Sequence, residues 1–451
     1  MRIHFVAIGG AAMHNLAIAL HLKGHEITGS DDEIFDPAST NLAKHGLLPD
    51  TMGWNPDCIS KELDCIVLGM HAREDNPELI RAKELGVRIF SYPEFLYEQT
   101  QHKTRVVIGG SHGKTTVTSM ILFVLKKMQM DFDYMVGAQI EGFDTMVSLS
   151  ENSRIAIFEG DEYLTSPIDL RPKFHVYRPH IGVVTGIAWD HINVFPTFEN
   201  YVDQFRIFTT LIERDGKFIY FEEDPYLQAI ASDLRGDLTA IPYNAAPNHI
   251  LEGKTWLETK LGDFPLRVFG KHNLQNIQAA RMVCKQLGVS DKDFYQCISE
   301  FNGAAKRLQT LNETDESTIF QDFAHSPSKL KATVSDVKEQ YPNRKLTACM
   351  ELHTFSSLTA EFLPEYKDCM KAADQAYVYF NPKTLEHKKL ANITATQVAE
   401  AFGGSNLEVF TDSALLIARL KETSFKQHNL LMMSSGNFDG VNLKAFAMEI
   451  I

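Results

Sequence analysis

The chain is 451 residues long and carries 44 Lys and Arg against 58 Asp and Glu, a net charge of −14 and a pI near 5.7. That length corresponds to roughly two to four domains, and a composition 44% hydrophobic and 23% charged excludes disordered and fibrous classes. The acidic balance argues against nucleic acid as a partner, and no apolar run is long enough for a membrane span.

The first residues, MRIHFVAIGGAAM, carry no cleavable-signal pattern. IHFVAI (3–8) reads instead as a strand running into Gly9-Gly10 and an amphipathic helix from Ala11 to Lys23, closed by Gly24. HEITGSD supplies a second strand ending at Ser30-Asp31, and DCIVLG (64–69) and VRIFS (87–91) supply two more. Strands alternating with helices predict a parallel, doubly wound sheet over 1–102. The glycine turn falls short of GxGxxG, with Ala11 and Ala12 in place of further glycines, so a plain βα turn and a nucleotide-diphosphate site both fit. A second segment, 103–304, opens with a strand (105–109), a Gly-rich loop and a long helix with Val117, Met120, Ile121, Val124 and Met128 on its apolar face. Further strands are expected near 154–158, 181–187 and 217–221. The third segment, 305–451, has strands TIFQD (318–322), KLTACME (345–351), AYVYF (376–380), LEVF (407–410) and NLLMMS (429–434), with helices fitting between them. All three segments are therefore α/β with mostly parallel sheets, and no 20–50-residue repeat suggests a solenoid. The six cysteines form no CxxC pair and read as reduced, mostly buried thiols of a cytoplasmic protein.

Gly110-Ser111-His112-Gly113-Lys114-Thr115-Thr116 is the strongest local signal. Backbone N–H groups of such a loop converge on phosphate oxygens, and the helix behind it points its positive end at them. Lys114 can span the β- and γ-phosphates of ATP, and the Thr115 hydroxyl can ligate Mg²⁺. One departure is Ile108, which stands where GxxxxGK[ST] asks for glycine. A metal site also needs a carboxylate from another strand end, and RIAIFEGDEY delivers Glu159, Asp161 and Glu162 there. IGVVTGIAWDHINVF ends a further strand at Asp190-His191. His191 reads either as a structural histidine or as a ligand of a second, more tolerant metal site.

GSHGKTT, FEGDE, WDH, GKHNLQNIQAA (270–280), KRLQ (306–309) and DFAHSP (322–327) occur in the order found in the Mur ligases, and the chain resembles that family along essentially its whole length. The resemblance implies three domains: a Rossmann-like UDP-sugar domain (1–102), a central P-loop ATPase (103–304), and a C-terminal Rossmann-like domain (305–451) that closes on ATP and binds the amino substrate. It also implies that the lactyl carboxylate of UDP-N-acetylmuramate attacks the γ-phosphate, giving an acyl phosphate that an amine displaces. Charge neutralisation would come from Lys114, from Mg²⁺ on Thr115 and Glu159, and from a second metal near His191. Family position points His272, Asn273 and Asn276 toward adenine, the last two sharing a helix face, with a plain N-cap by Asn273 as the alternative. Arg307 would reach the γ-phosphate and Asp322 the ribose hydroxyls, after closure at a hinge near NGAAK (302–306).

Within the family, EGDEYLTSPIDLRPKFHVYRPH and MSSGNFDG (433–440) resemble the branch that joins a recycled murein tripeptide, L-Ala-γ-D-Glu-meso-diaminopimelate, to the UDP-sugar. ELHTFSS (351–357) is closer to the alanine-adding branch, Ser326 replaces a usual second histidine, and DNP (75–77) reads as scaffold. Residues 191–213 hold no lysine that could be carbamylated as in some relatives. Tripeptide ligation is the leading expectation, with L-alanine ligation or a non-catalytic nucleotide-binding homologue as alternatives. Arg171, Lys173 and Arg178 either hold substrate carboxylates or are solvated charges. No nucleic-acid partner is expected, and the chain is expected to act as a monomer or weak homo-oligomer.

Overall fold

The structure, a computed structural model, describes residues 1–189 and 194–451. Contacts gather them into two units, Met1–Ala246 with Gln275–Ile298, and Pro247–Leu274 with Ser299–Ile451.

In the first unit, β1 (Arg2–Val6), β2 (Glu26–Ser30), β3 (Cys65–Leu68) and β4 (Ile89–Ser91) form a parallel sheet in the order β2-β1-β3-β4. The apolar runs of β1 and β3 are buried almost throughout, as strands of a sheet covered on both faces are. The expected helix follows as Ala11–Leu22, and Gly24 takes the left-handed conformation (φ 89°) that ends it. DNP is scaffold: the Asn76 side chain caps the Pro77–Leu85 helix, and the buried Glu78 accepts the Asn55 N–H at 2.7 Å.

The second sheet of this unit contains β5 (Thr104–Gly109), β6 (Asp133–Met135), β7 (Val147–Ser148) and β8 (Ile155–Glu159). A hairpin of β9 (Leu164–Ser166) and β10 (Asp169–Pro172) leads on to β11 (Ile181–Val184), β12 (Lys217–Phe221) and β13 (Thr239–Tyr243). Among the described residues its order is β13-β12-β11-β5-β8-β6-β7, with β7 antiparallel to its neighbour. Strand β5 lies between β11 and β8, so the chain leaves it toward both sides of the sheet. Such a switch point opens a crevice at the carboxyl ends of the strands. Ile108, the departure from the loop pattern, is fully buried inside β5, where a side chain fills the core.

Arg105, also on β5, is 2% exposed. Its Nη1 donates to the carbonyls of Thr100 and Gln101 at 3.0 and 2.9 Å, at the end of the Tyr92–Thr100 helix. Its Nε donates to Tyr177 and Arg178 at 2.9 and 3.0 Å, and its Nη2 pairs with Glu213 at 3.2 Å. One guanidinium thus joins the end of the N-terminal sheet region to the central sheet.

The second unit begins with antiparallel β14 (Asn248–Leu251), β15 (Lys254–Thr259) and β16 (Gly262–Leu266). Gln340, on the Pro327–Gln340 helix, holds them by accepting the Thr255 hydroxyl at 2.9 Å and donating to the Gly253 carbonyl at 2.7 Å. Its main sheet comprises β17 (Gln309–Glu313), β18 (Thr318–Asp322), β19 (Lys345–Glu351), β20 (Gln375–Tyr379), β21 (Leu407–Phe410) and β22 (His428–Met433). The order is β17-β18-β22-β19-β20-β21, and β17 runs antiparallel to β18. Alternate residues feed two cores, Phe320, Ala348, Met350 and Leu431 in one, Ile319, Cys349, Leu430 and Met432 in the other. All six cysteines are free, four of them buried, and no described helix is long and apolar enough to cross a membrane.

Candidate active site

Strand β5 delivers the Gly-rich loop into the crevice. Gly110 (φ 121°) and Gly113 (φ 81°) take backbone conformations that side chains rarely adopt. A Cβ at Gly110 would run into the Thr185 hydroxyl, and one at Gly113 into the Asn276 amide. Ser111 is stitched inward: its N–H donates to the Gly186 carbonyl at 2.9 Å, and its Oγ meets Tyr201 Oη at 2.9 Å and the Ala188 N–H at 2.8 Å. The Thr185 hydroxyl donates to the His112 carbonyl, and Gln275 Nε2 donates to the Thr185 carbonyl at 3.1 Å. Behind the loop, the Lys114–Lys127 helix leaves its first N–H groups, those of Lys114, Thr115 and Thr116, without intrahelical acceptors. Unpaired N–H groups at a helix N-terminus favour an anion, while Gly110 and Ser111 shape the loop.

Two carboxylates from the end of β8 meet this loop differently. Glu159 accepts the Thr115 hydroxyl at 2.9 Å and the Gly137 N–H at 2.7 Å. Glu162, fully buried, accepts Lys114 Nζ at 2.6 Å and the Gly110 N–H at 3.2 Å. Burial pulls the Lys114 ammonium down in pKa, but Glu162, Asp161 and Glu159 more than offset this and hold it above the ordinary lysine range. The acids after this strand have different partners: Asp161 pairs with Lys173 at 2.7 Å and Glu162 with Lys114. The basic cluster is likewise neutralised in part, because Arg171 pairs with Asp169 at 2.6 Å and with Glu94 at 3.3 Å.

The structure therefore brings together Gly110 to Thr116, Glu159 and Asn276 within the first unit. His191 and Asp190 lie outside the described residues. His272, Asn273, Arg307 and Asp322 belong to the second unit. There Asn273 sits inside the Lys271–Gln286 helix and donates to the Phe269 carbonyl at 2.8 Å, so it is not the N-cap. Burial lowers the His272 pKa, with Lys271 adding to the effect. Arg307 lies over the Phe323 ring at 4.4 Å, between Lys306 and Leu308, both with positive φ. Asp322 accepts the Leu308 and Phe323 N–H groups at 3.0 and 2.9 Å and the Thr333 hydroxyl at 2.7 Å. A carboxylate offers about four acceptor positions, and these bonds take three of them.

Strands β18, β22 and β19 are neighbours, and their carboxyl ends form a second cluster in this unit. Glu351, 3% exposed, accepts the Ser434 hydroxyl and the Phe438 N–H (2.8 Å), and its other oxygen lies 3.8 Å from His353 Nδ1. A Cβ at Gly436 would collide with His353 and Glu351. ELHTFSS and MSSGNFDG, separate signals in the sequence, are thus one structure pinned on Glu351, a joint that sequence reasoning missed.

Three family patterns cover the chain in order: "Mur ligase family, catalytic domain" at residues 2–104, "Mur ligase middle domain" at 108–284 and "Mur ligase, glutamate ligase domain" at 306–436. The UDP-N-acetylmuramate–L-alanine ligase of Limosilactobacillus reuteri is 30% identical over 393 residues, covering 83% of this chain and 84% of that protein. This chain belongs to the Mur ligase family. Among solved Mur ligase folds, a murein peptide ligase from Psychrobacter arcticus aligns at TM-score 0.65 with 22% identity, over 100% of this chain and 99% of that one. The UDP-N-acetylmuramate–alanine ligase of Thermotoga maritima aligns at 0.71 with 18% identity, over 100% and 98%. The three-domain α/β Mur ligase architecture is therefore present here, and with it the family's chemistry, ATP-dependent formation of an amide bond.

Proposed function

We propose that this Mur ligase joins L-Ala-γ-D-Glu-meso-diaminopimelate, or a closely similar tripeptide, to UDP-N-acetylmuramate, releasing ADP and phosphate. The observation that carries the reading is the Glu351-pinned cluster. A free L-alanine presents its carboxylate two bonds from the reacting amine and needs a cation close by. Neither 351–357 nor 434–440 contains Arg or Lys. A cation that packs on the first of these segments, Lys388 over the exposed Phe355 ring at 4.4 Å, suits a carboxylate further along a peptide. The N-terminal residue of a tripeptide has an amide in place of that first carboxylate. L-alanine is the second reading, favoured by the names of relatives such as the Limosilactobacillus reuteri enzyme.

In this reading the sugar's carboxylate oxygen bonds to the γ-phosphorus as the bond to ADP breaks. The amine then adds to the acyl phosphate and phosphate leaves, the amine's proton passing to solvent or a nearby base. Phosphoryl transfer of this kind needs positioning and charge neutralisation more than covalent help. Lys114 and the first-turn N–H groups supply positive charge, with Arg307 toward the γ-phosphate, His272, Asn273 and Asn276 toward adenine and Asp322 toward the ribose. The Thr115 hydroxyl and Glu159 carboxylate are hard oxygen donors 2.9 Å apart, a set that fits Mg²⁺. When bound, Mg²⁺ would neutralise phosphate charge there, and His191 is proposed for a second metal. We take 1–102, 103–304 and 305–451 as the domains, acting in the cytoplasm where ATP is available.

The test is phosphate release from purified protein given ATP, Mg²⁺ and UDP-N-acetylmuramate with either amine. Turnover with tripeptide and not L-alanine is expected. Turnover with L-alanine alone overturns the assignment in favour of the second reading.

A further inference from the structure

We propose that Glu162 aims Lys114: it is a positioning residue that commits part of the lysine's ammonium inside the fold and leaves the remainder for a nucleotide phosphate. The inference rests on the reading of Gly110–Thr116 as the ATP phosphate loop. Lysine is a compact point charge on a flexible stem, with three N–H donors and no preferred fork geometry. Here its direction is set by the fold. Nζ donates to the Gly110 carbonyl at 2.8 Å and to Glu162 Oε2 at 2.6 Å. Glu162 Oε1 in turn accepts the Gly110 N–H at 3.2 Å. The peptide groups on both sides of Gly110 are thus held in one closed circuit, the N–H by the carboxylate and the carbonyl by the ammonium. With two donors committed, the third N–H has no partner among the described residues, and the Lys114 side chain is 15% exposed while that of Glu162 is fully buried.

The neighbouring acids do not share this task. Asp161 is paired with Lys173 at 2.7 Å, and Glu159 with the Thr115 hydroxyl and the Gly137 N–H. Burying a carboxylate is costly unless it is paired and hydrogen-bonded, and Glu162 is both, at the one place where pairing also directs the phosphate-facing lysine. A buried carboxylate on the inner side of the ammonium leaves the outer side open to an anion.

The test compares binding of ADP and AMP by calorimetry to wild type, E162Q, E162D and K114A. AMP lacks the β-phosphate that Lys114 would meet. E162Q, which keeps an acceptor but loses the charge, is expected to weaken ADP about tenfold, the scale of one charged hydrogen bond, and to leave AMP within about twofold. E162D restores the charge on a shorter stem and is expected to recover part of the ADP preference. Equal losses for ADP and AMP, or ADP binding unchanged in E162Q, overturn the inference. Should E162Q fail to fold, E162D carries the test: a reduced ADP preference supports the inference and an unchanged one overturns it. If K114A keeps the ADP preference, the phosphate-loop reading itself falls and the inference with it. Loss of that preference in K114A beside a silent E162Q removes the inference alone.

Discussion

Replacing Arg105 with methionine should loosen the first unit more than any surface change of similar size. Methionine keeps an apolar stem of comparable reach but removes the five N–H donors of the guanidinium. The carbonyls of Thr100, Gln101, Tyr177 and Arg178 then lose donors that reach them at 2.9–3.0 Å, and Glu213 loses its partner at 3.2 Å. Leaving a buried ionic network without one member costs about 3–5 kcal/mol. In a unit of this size each kcal/mol moves the melting temperature by about 2–4 °C, so a fall of about 10 °C is expected. A chain of two units need not unfold in one step, so the first calorimetric transition is the one to follow. Arg105→Lys should fall between, since an ammonium cannot span acceptors on two sides. A shift of less than about 2 °C for Arg105→Met would show that water or rearranged backbone satisfies those carbonyls, and the reasoning would fail.

Three further outcomes follow from the geometry. Thr115→Val, which removes the hydroxyl held by Glu159, should raise the Mg²⁺ needed for half-maximal turnover about tenfold or more, measured by titrating Mg²⁺ at saturating ATP. Glu351→Ala should release the 434–440 loop and raise the KM for the amine while leaving the KM for ATP near wild type, as steady-state kinetics will show. Asp31 holds the Gly9 N–H at 2.7 Å, and burial pushes its pKa up from 3.8 to about 6. Between those values the folded state keeps a proton that the unfolded chain has released, so the stability this group contributes at low pH is lost as pH rises through about 6. Asp31→Asn should therefore gain in melting temperature relative to wild type from about pH 4 to 6 and hold that gain above it, in melts at stepped pH.

Local chemistry made much of this molecule legible in its sequence. The strand, glycine loop and helix of 104–127 could be read because glycine conformations, a preceding apolar strand and a following helix lie within about 25 contiguous residues. Strands such as Thr318–Asp322 and Lys345–Glu351 stand where their apolar runs predict them. What escaped was long-range pairing. Nothing near Glu162 announces that it reaches Lys114 and Gly110 across 48 and 52 residues. The β14–β16 sheet was also missed, since β14 and β16 are largely exposed and the alternation of β15 buries only Thr255 and Leu257. Gln340 ties it to a helix, bonding Thr255 from 85 residues on. Ser326, an oddity against the family pattern, stands at the N-cap of the Pro327–Gln340 helix.

The seating of Gly113 against Asn276 has a consequence for how this enzyme can change. The two positions are 163 residues apart in the chain, yet the amide oxygen of Asn276 lies where the first side-chain carbon of any other residue at 113 would go. A library that varies the loop alone should return glycine at 113 almost without exception. Shortening the side chain at 276 relieves the collision but not the backbone conformation, for which residues other than glycine carry a further penalty of about 1–2 kcal/mol. Departures at 113 should thus be recovered only in pairs, and rarely, so that the Gly110–Thr116 loop drifts far more slowly than exposed loops with no such partner.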